Sequence, residues 1–489
     1  MSKLNGLKIF KNKVKYYSGQ VPKFKKVAIL NEDEFSKYKV EVQNEFQENK
    51  FPLLFATKAF GMGVDKPNIR YTIHYGVPGS IESFYQEAGR AGRDKRQANC
   101  YILNSKDKIT KEEYDKIFSL DTRAEELIGL TEKYPFATGD ILRNLFLSLQ
   151  GNDNLGGDWK LASEIYSEFC LNGIDIIKLS DVRGLKIRYR SKFVSCNFSS
   201  VQKAIYRLSL LGVINDWTIE EWGDSRGKFK IYINDLSEEE IKNNLNRYIR
   251  KYDVEFNIND LHGSPYEKLF KLESHSMVSR CIAIIIQWNY DNVFYARRQS
   301  QKNLVDLCDQ YFEKGEKYFK EVLEGYFRIT DNSYVLDYLA NNPEDLKSMY
   351  ELLTDDNGKL KSKNELKALD LSLLRFLESF RYNTALNYLS GILSLVLDEY
   401  KDSTRMERLK SSFESIYKKD KEYKDKVIEA TLKIGQTLSS ESKDKLSEVL
   451  CNYCSNEKVY KYLNDNISLN LILKEALDRL NKIEVNING

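Results

Sequence analysis

The stretch Phe51–Arg93, FPLLFATKAFGMGVDKPNIRYTIHYGVPGSIESFYQEAGRAGR, decides how this chain folds. Phe51 to Ala56 is a short apolar run of the kind a buried strand requires. A loop carrying Gly61 and Gly63 follows, and then a second apolar run at Tyr71–Tyr75. Ser80, with Glu82 in the next turn, is a helix start signal. That helix leads into Gly89-Arg90-Ala91-Gly92-Arg93. Two arginines three residues apart, each preceded by glycine, present planar guanidinium forks with little bulk around them. Such forks match the charge and geometry of a cluster of phosphate oxygens. Glycines in the first loop let backbone N–H groups come close to a phosphate.

Two segments inside this stretch carry a family resemblance. ATKAFGMGVDKPNIR, from Ala56 to Arg70, resembles motif V of superfamily 2 helicases. SFYQEAGRAGRD, from Ser83 to Asp94, resembles motif VI, and both are similar to the versions in the RecQ family of ATP-dependent DNA helicases. The resemblance implies an α/β fold for residues 1–121, as part of a second RecA-like motor domain. It implies that Arg93 is an arginine finger for the γ-phosphate of ATP, that Arg90 assists, and that Gln86 lines the same cleft. Asp65 and Gly63 would lie on the nucleotide side of motif V, and Thr57 near the DNA backbone. Plainer readings stand beside these: Arg90 as a salt-bridge partner, and Asp65 as a turn residue before Lys66-Pro67. The family usually has Asp-Gly after the finger, whereas here Lys95 and Arg96 follow Asp94, so the turn differs. Tyr17, in YYSG, stands where the family usually has histidine.

No GxxxxGK(S/T) phosphate loop and no DExH box occurs in the 489 residues. ATP and Mg2+ are therefore expected to be bound mainly by a P-loop-bearing partner or by a missing N-terminal segment. On this reading the chain is inactive alone.

Length suggests about three domains. With a formal net charge of +3, any basic nucleic-acid footprint must be local. The N-terminal residues have no apolar signal-peptide core, and the longest apolar run, Cys281 to Ile286, is too short to span a bilayer. A soluble cytoplasmic protein is expected. The seven cysteines make no disulfide framework, and the Cys451/Cys454 pair has no second pair or histidine beside it. Cys100, Cys170 and Cys196 lie where many RecQ proteins carry a zinc module, at unsuitable spacings, so no zinc is expected.

Around the motifs, Glu34–Gln47 has helical spacing with Phe35, Tyr38, Val42 and Phe46 on one face. Thr110 opens a capping box for a charged helix over Lys106–Asp121. Residues 122–255 read as a winged-helix-like α+β region that binds DNA: a helix from Ser199 to Leu211, then strands at Val213–Trp222 and Lys228–Ile233 around a glycine-bounded turn. Lys203, Arg207, Arg226 and Lys228 are its candidate contacts, although Glu220, Glu221 and Asp224 would repel phosphate. Before that helix, a strand over Leu185–Phe193 puts Lys186, Arg188, Arg190 and Lys192 on one face by alternation. This stripe either tracks a phosphate backbone or is a solvated sheet face. Residues 256–489 read as an all-α scaffold, with Met277–Tyr290 central and a further helix around Tyr295–Gln299. Two functions fit. One is part of a 3′-to-5′ DNA helicase acting on single-stranded and junction DNA; the other is an ATP-independent DNA-binding or interaction scaffold. Repair, recombination and defence against foreign DNA are equally open.

Overall fold

A computed structural model describes residues 13–19, 21, 23, 24, 27, 28, 31–61, 66–134, 139–149, 155–182, 184, 186–189, 192–223, 226–399, 402–454 and 459. The chain divides into two compact units, residues 1–105 and 106–489.

The first unit is built from parallel strand pairs joined through helices. Strand β1 (Val14–Tyr17) pairs in parallel with β4 (Leu53–Ala56), Val14 opposite Leu53. Between them come a minimal hairpin, β2 (Lys23–Phe24) with β3 (Val27–Ala28), and helix α1 (Glu32–Gln47). Asn31 and Glu34 close a reciprocal capping box at the start of α1, satisfying N–H groups that have no partner within the helix. The helix buries Phe35, Val42 and Phe46, and the last two pack with Phe51 and Phe60. A second parallel pair follows: β5 (Tyr71–Tyr75), helix α2 (Ile81–Ala88) and β6 (Asn99–Leu103), with Ile73 opposite Tyr101. Ile81 and Phe84 form the buried side of α2, and Phe84 packs edge-on against His74 of β5. On the other face of this pair, Tyr71, Ile73, Tyr75, Tyr101 and Leu103 are exposed.

The second unit opens with α3 (Lys111–Phe118), whose Thr110 and Glu113 form the predicted capping box, then α4 (Ala124–Lys133) and α5 (Asp140–Leu149). Next come α6 (Leu155–Ile165), β7 (Ile176–Lys178), the single turn α7 (Leu179–Val182), β8 (Lys186–Tyr189), β9 (Lys192–Ser195), α8 (Phe198–Leu210), β10 (Ile214–Glu221) and β11 (Lys228–Ile233). Strands β10, β11 and β7 form one antiparallel sheet in that order. Asn197, rather than Ser199, caps α8, accepting from the Ser200 N–H at 2.9 Å. After α9 (Glu238–Ile249) and the short α10 (Glu267–Phe270), α11 runs from Met277 to Phe327.

The two helices expected over 277–299 are one. No glycine or proline interrupts the sequence from 277 to 314, and the break comes only at Gly315 (φ 77°, ψ −178°), a backbone conformation nearly reserved to glycine. The apolar half of α11, including Cys281, Ile282 and Ile285, shares a core with Val201, Ile205 and Leu208 of α8 and with Phe229 and Ile231 of β11. Helices α12 (Asp331–Asn341), α13 (Leu346–Leu353), α14 (Lys363–Ser379), α15 (Thr384–Val396), α16 (Ser403–Tyr417), α17 (Lys421–Gly435) and α18 (Ser440–Leu450) surround a second core. Among the described residues, no helix is long and apolar enough to cross a membrane.

Buried polar groups tie α3 into this body. Arg298 donates to the carbonyls of Ile117 and Thr122, Gln299 to Phe118 at 2.9 Å, and Arg381 to Leu120. Lys302 bridges Asp306 and Asp402 at 2.7 and 2.9 Å, and the Tyr114 hydroxyl donates to Asp306.

After α9, burial pushes the half-buried Asp253 carboxyl up to about 6, with the Glu255 charge adding to the effect. That folded value lies above the unfolded one, so the group favours folding below about pH 4 and loses that contribution as pH rises through about 6. Asp253→Asn keeps an acceptor and removes the charge. Denaturant melts should show the variant more stable than wild type by about 2 kcal/mol at pH 7 and equal to it near pH 4.

Candidate functional site

The turn after α2 displays the paired arginines. Gln86 is exposed on α2, and Arg90 and Arg93 follow at helical spacings of four and three. Gly89 closes the helix, its N–H donating to Tyr85 O at 2.8 Å. The next residues are held against the loop that leads into β5: Gly92 N–H donates to Ile69 O at 3.0 Å and Asp94 N–H to Pro67 O at 3.2 Å. Gly92 has φ +68°, and a Cβ there would lie 2.9 Å from the Arg96 carbonyl. Lys95, where the family pattern has glycine, takes a positive φ of 63°. Arg70 grips Asp94 with both guanidinium nitrogens, and that hydrogen bonding holds the Asp94 carboxyl below the usual carboxylate range. Asp94 is thereby occupied. Arg93 is exposed, with its Nε 3.5 Å from Gly89 O, and Arg90 is half-buried. No ion pair engages Arg90 among the described residues.

Thr57 is exposed at the carboxyl end of β4, its N–H donating to Tyr17 O at 3.0 Å. Ligands of open α/β sheets gather at such strand ends. Gly63 and Asp65 lie outside the described residues. Sequence reasoning missed Lys66, which burial drives to a lowered amine pKa. It donates to Asn49 at 2.6 Å and sits 4.9 Å from the centre of the Phe46 ring, anchoring the end of motif V to α1. A lysine followed by proline gave no sign of burial.

Residues 8–95 match the helicase conserved C-terminal domain. The same part of the chain is 54% identical over 67 residues to the RecQ-like DNA helicase blm-1 of Caenorhabditis elegans, covering 14% of this chain and 7% of that protein. It is 50% identical over 70 residues to the ATP-dependent DNA helicase hus2/rqh1 of Schizosaccharomyces pombe, covering 14% and 5%. Over 77 residues it is 48% identical to the ATP-dependent DNA helicase Q-like SIM of Arabidopsis thaliana, covering 16% and 9%. This segment belongs to the RecQ family of superfamily 2 helicases. The chain thus spans less than a tenth of the length of these three RecQ-type relatives.

Outside the RecQ-type segment, the structure redistributes the predicted DNA contacts. Arg207 is only 6% exposed. It is ion-paired with buried Asp158, which also accepts from the Tyr290 hydroxyl at 2.6 Å, and it packs 5.3 Å from the Tyr290 ring centre. Arg207 is therefore a core residue and no DNA contact: α8 is covered by α6, α9 and α11, and an arginine on its inner face must be paired. Lys203 is half-buried on the same helix. Lys228 is paired with Glu220 at 2.7 Å, whereas Arg226 is exposed in the turn between β10 and β11. Close to that turn lies Trp222, also exposed, its ring 5.5 Å from Phe198. Sequence reasoning passed over it, although an aromatic beside Gly223 was legible.

The expected strand Leu185–Phe193 is a hairpin instead, because pairing its halves satisfies backbone groups that a lone strand leaves open. Lys186 pairs with Ser195, Arg188 with Phe193, and Tyr189 with Lys192. By register, Lys186 and Arg188 share one face and Lys192 occupies the other, so the single stripe does not form. Arg190 lies outside the described residues.

Gly92→Ala forces a side chain into the left-handed region and against a carbonyl. Denaturant unfolding of the first unit should register a loss of about 1–2 kcal/mol. Arg207→Met leaves Asp158 buried and unpaired, and should cost about 3–5 kcal/mol. Adding Asp158→Leu should restore most of that stability, while oligonucleotide binding by both folded variants stays at the wild-type level.

Proposed function

We propose that this chain supplies part of a RecQ-like, ATP-dependent DNA helicase: motifs V and VI of the second motor domain, a DNA-binding module, and a helical scaffold. The observation that carries this reading is the series of exposed Gln86, half-buried Arg90 and exposed Arg93 on a turn pinned by Arg70–Asp94, within a segment related to ATP-dependent DNA helicases. Two guanidinium forks beside an amide suit a polyphosphate. ATP would meet Arg93 and Arg90 on this side, with Gln86, Gly63 and Asp65 lining the same cleft; its hydrolysis supplies the free energy of translocation. Arg93 stabilises charge developing on the transferred phosphoryl group, and Thr57 contacts the DNA backbone. Mg2+ and the remaining phosphate contacts are assigned to a P-loop-bearing partner or preceding segment. The exposed apolar face of β5 and β6 supports such an addition, since parallel sheets are covered on both faces. Translocation would run in the family's 3′-to-5′ direction.

The β10–β11–β7 sheet with α6 and α8 supports a winged-helix-like module. Its DNA contacts would be Arg226 in the wing and the β8–β9 hairpin, since on α8 Arg207 is buried and Lys203 half-buried.

The test is ATP turnover with and without single-stranded DNA. The chain alone should be silent. With a P-loop-bearing polypeptide that completes the cleft, DNA-dependent turnover should appear, and Arg93→Ala should reduce it by about 10³–10⁵. Turnover by the completed assembly that is indifferent to Arg93→Ala would overturn the finger assignment and leave the ATP-independent scaffold as the reading.

A further inference from the structure

The last turn of α9 carries a group of side chains that the fold does not consume. Arg247, Arg250 and Lys251 stand at i, i+3 and i+4, so they share one face, and all three are exposed. Arg250 keeps helical backbone angles, φ −62° and ψ −13°, so the stripe continues through the cap. No ion pair engages any of the three among the described residues. A cation at a helix C-terminus complements the helix dipole; that need does not account for three, nor for the rings beside them.

Those rings are Tyr248 and Tyr252, 6.0 Å apart, and both rest on buried Trp288 at 5.5 and 5.3 Å. Lys251 Nζ lies 5.8 Å from the centre of the Tyr248 ring. Tyr206 of α8 lies beside the Tyr248 hydroxyl, which extends the ring surface onto a second helix. Tyr206 is 50% exposed and Tyr252 is 39% exposed. The acids that follow in sequence are engaged elsewhere. Asp253 accepts from the Glu255 N–H at 3.2 Å, with Arg250 only a minor influence on its charge. Glu255 is bound by Lys419 at 2.5 Å and by the Thr384 hydroxyl at 3.2 Å. The patch therefore keeps its positive charge.

We propose that Tyr206, Arg247, Tyr248, Arg250, Lys251 and Tyr252 form a binding surface for single-stranded nucleic acid. Cations hold the phosphates and the Trp288-backed rings accept unpaired bases. A positive track flanked by aromatic platforms is the general solution for single strands, because every base has a stackable face. A duplex hides those faces and would use only the cations. This proposal rests on the DNA-binding reading above and adds a site to it, distinct from the wing.

The test uses the full chain and fluorescence anisotropy of a labelled oligothymidylate and a labelled blunt duplex, between about 50 and 200 mM salt. Replacing Arg247, Arg250 and Lys251 together by Gln should weaken oligothymidylate binding by about tenfold or more. It should also flatten the salt dependence by about 2 in log–log slope, for three phosphate contacts on a single strand. Tyr206→Leu with Tyr252→Leu should weaken oligothymidylate binding about tenfold or more, leaving the salt slope and duplex binding unchanged. Tyr206→Phe with Tyr252→Phe should bind like wild type, which controls for folding. If wild type binds DNA and the triple Gln variant matches it in affinity and slope, this surface is refuted while the DNA-binding reading survives. If wild type binds neither probe, both fall. If the Leu variant stays folded and binds oligothymidylate normally, the stacking surface is refuted.

Discussion

An α-helix ends with carbonyl groups that its own backbone cannot satisfy, and the end of α3 is buried. Arg298, Gln299 and Arg381 supply the donors, meeting the carbonyls of Ile117, Phe118, Leu120 and Thr122. Arg298 is 1% exposed, and burial beside Arg381 lowers its guanidinium pKa. Such residues are costly to enclose and more costly to strand, so the packing of α11 and α14 around α3 is strongly specified. The Lys302 bridge to Asp306 and Asp402 works in the same direction, joining α11 to the start of α16. The architecture of the larger unit depends on these contacts as much as on its apolar cores.

The same residue type serves opposite ends in the smaller unit. Arg70 spends its fork on Asp94 and thereby sets the path of the chain through the glycine-rich turn. With that carboxylate engaged by Arg70, Arg93 is exposed next to it. A short hydrogen-bonded turn, one glycine at positive φ and one internal ion pair suffice to hold two cations in a display. Little side-chain packing is involved, which is why the motif is compact in sequence.

That compactness also explains what could be read in advance. Phe51–Arg93 was legible because apolar strand runs, a capped helix and glycine-flanked arginines are local signals, and β4, β5 and α2 formed where the pattern put them. Helix α1 and the capping box of α3 were legible for the same reason. Partners distant in sequence were not. Nothing around Arg207 announces Asp158, 49 positions earlier, and its helical spacing suits a buried or an exposed face equally. The hairpin at β8 and β9 was misread because alternation reports which face a residue takes within one strand and says nothing about where that strand turns back. Tyr206, Arg247 and Tyr252 went unnoticed because the patch exists only once α8 and α9 lie side by side.

Helix α8 has a further consequence for what the molecule can distinguish. Identifying a base pair requires side chains inside a groove, and α8 has only Ser199 and Tyr206 well exposed, its Arg207 being paired inside the core. The patch proposed on α8 and α9 consists of arginine, lysine and flat aromatic rings, groups that respond to backbone charge and to whether bases are paired. Acting as proposed, such a patch would discriminate among nucleic-acid shapes while remaining indifferent to the letters they spell.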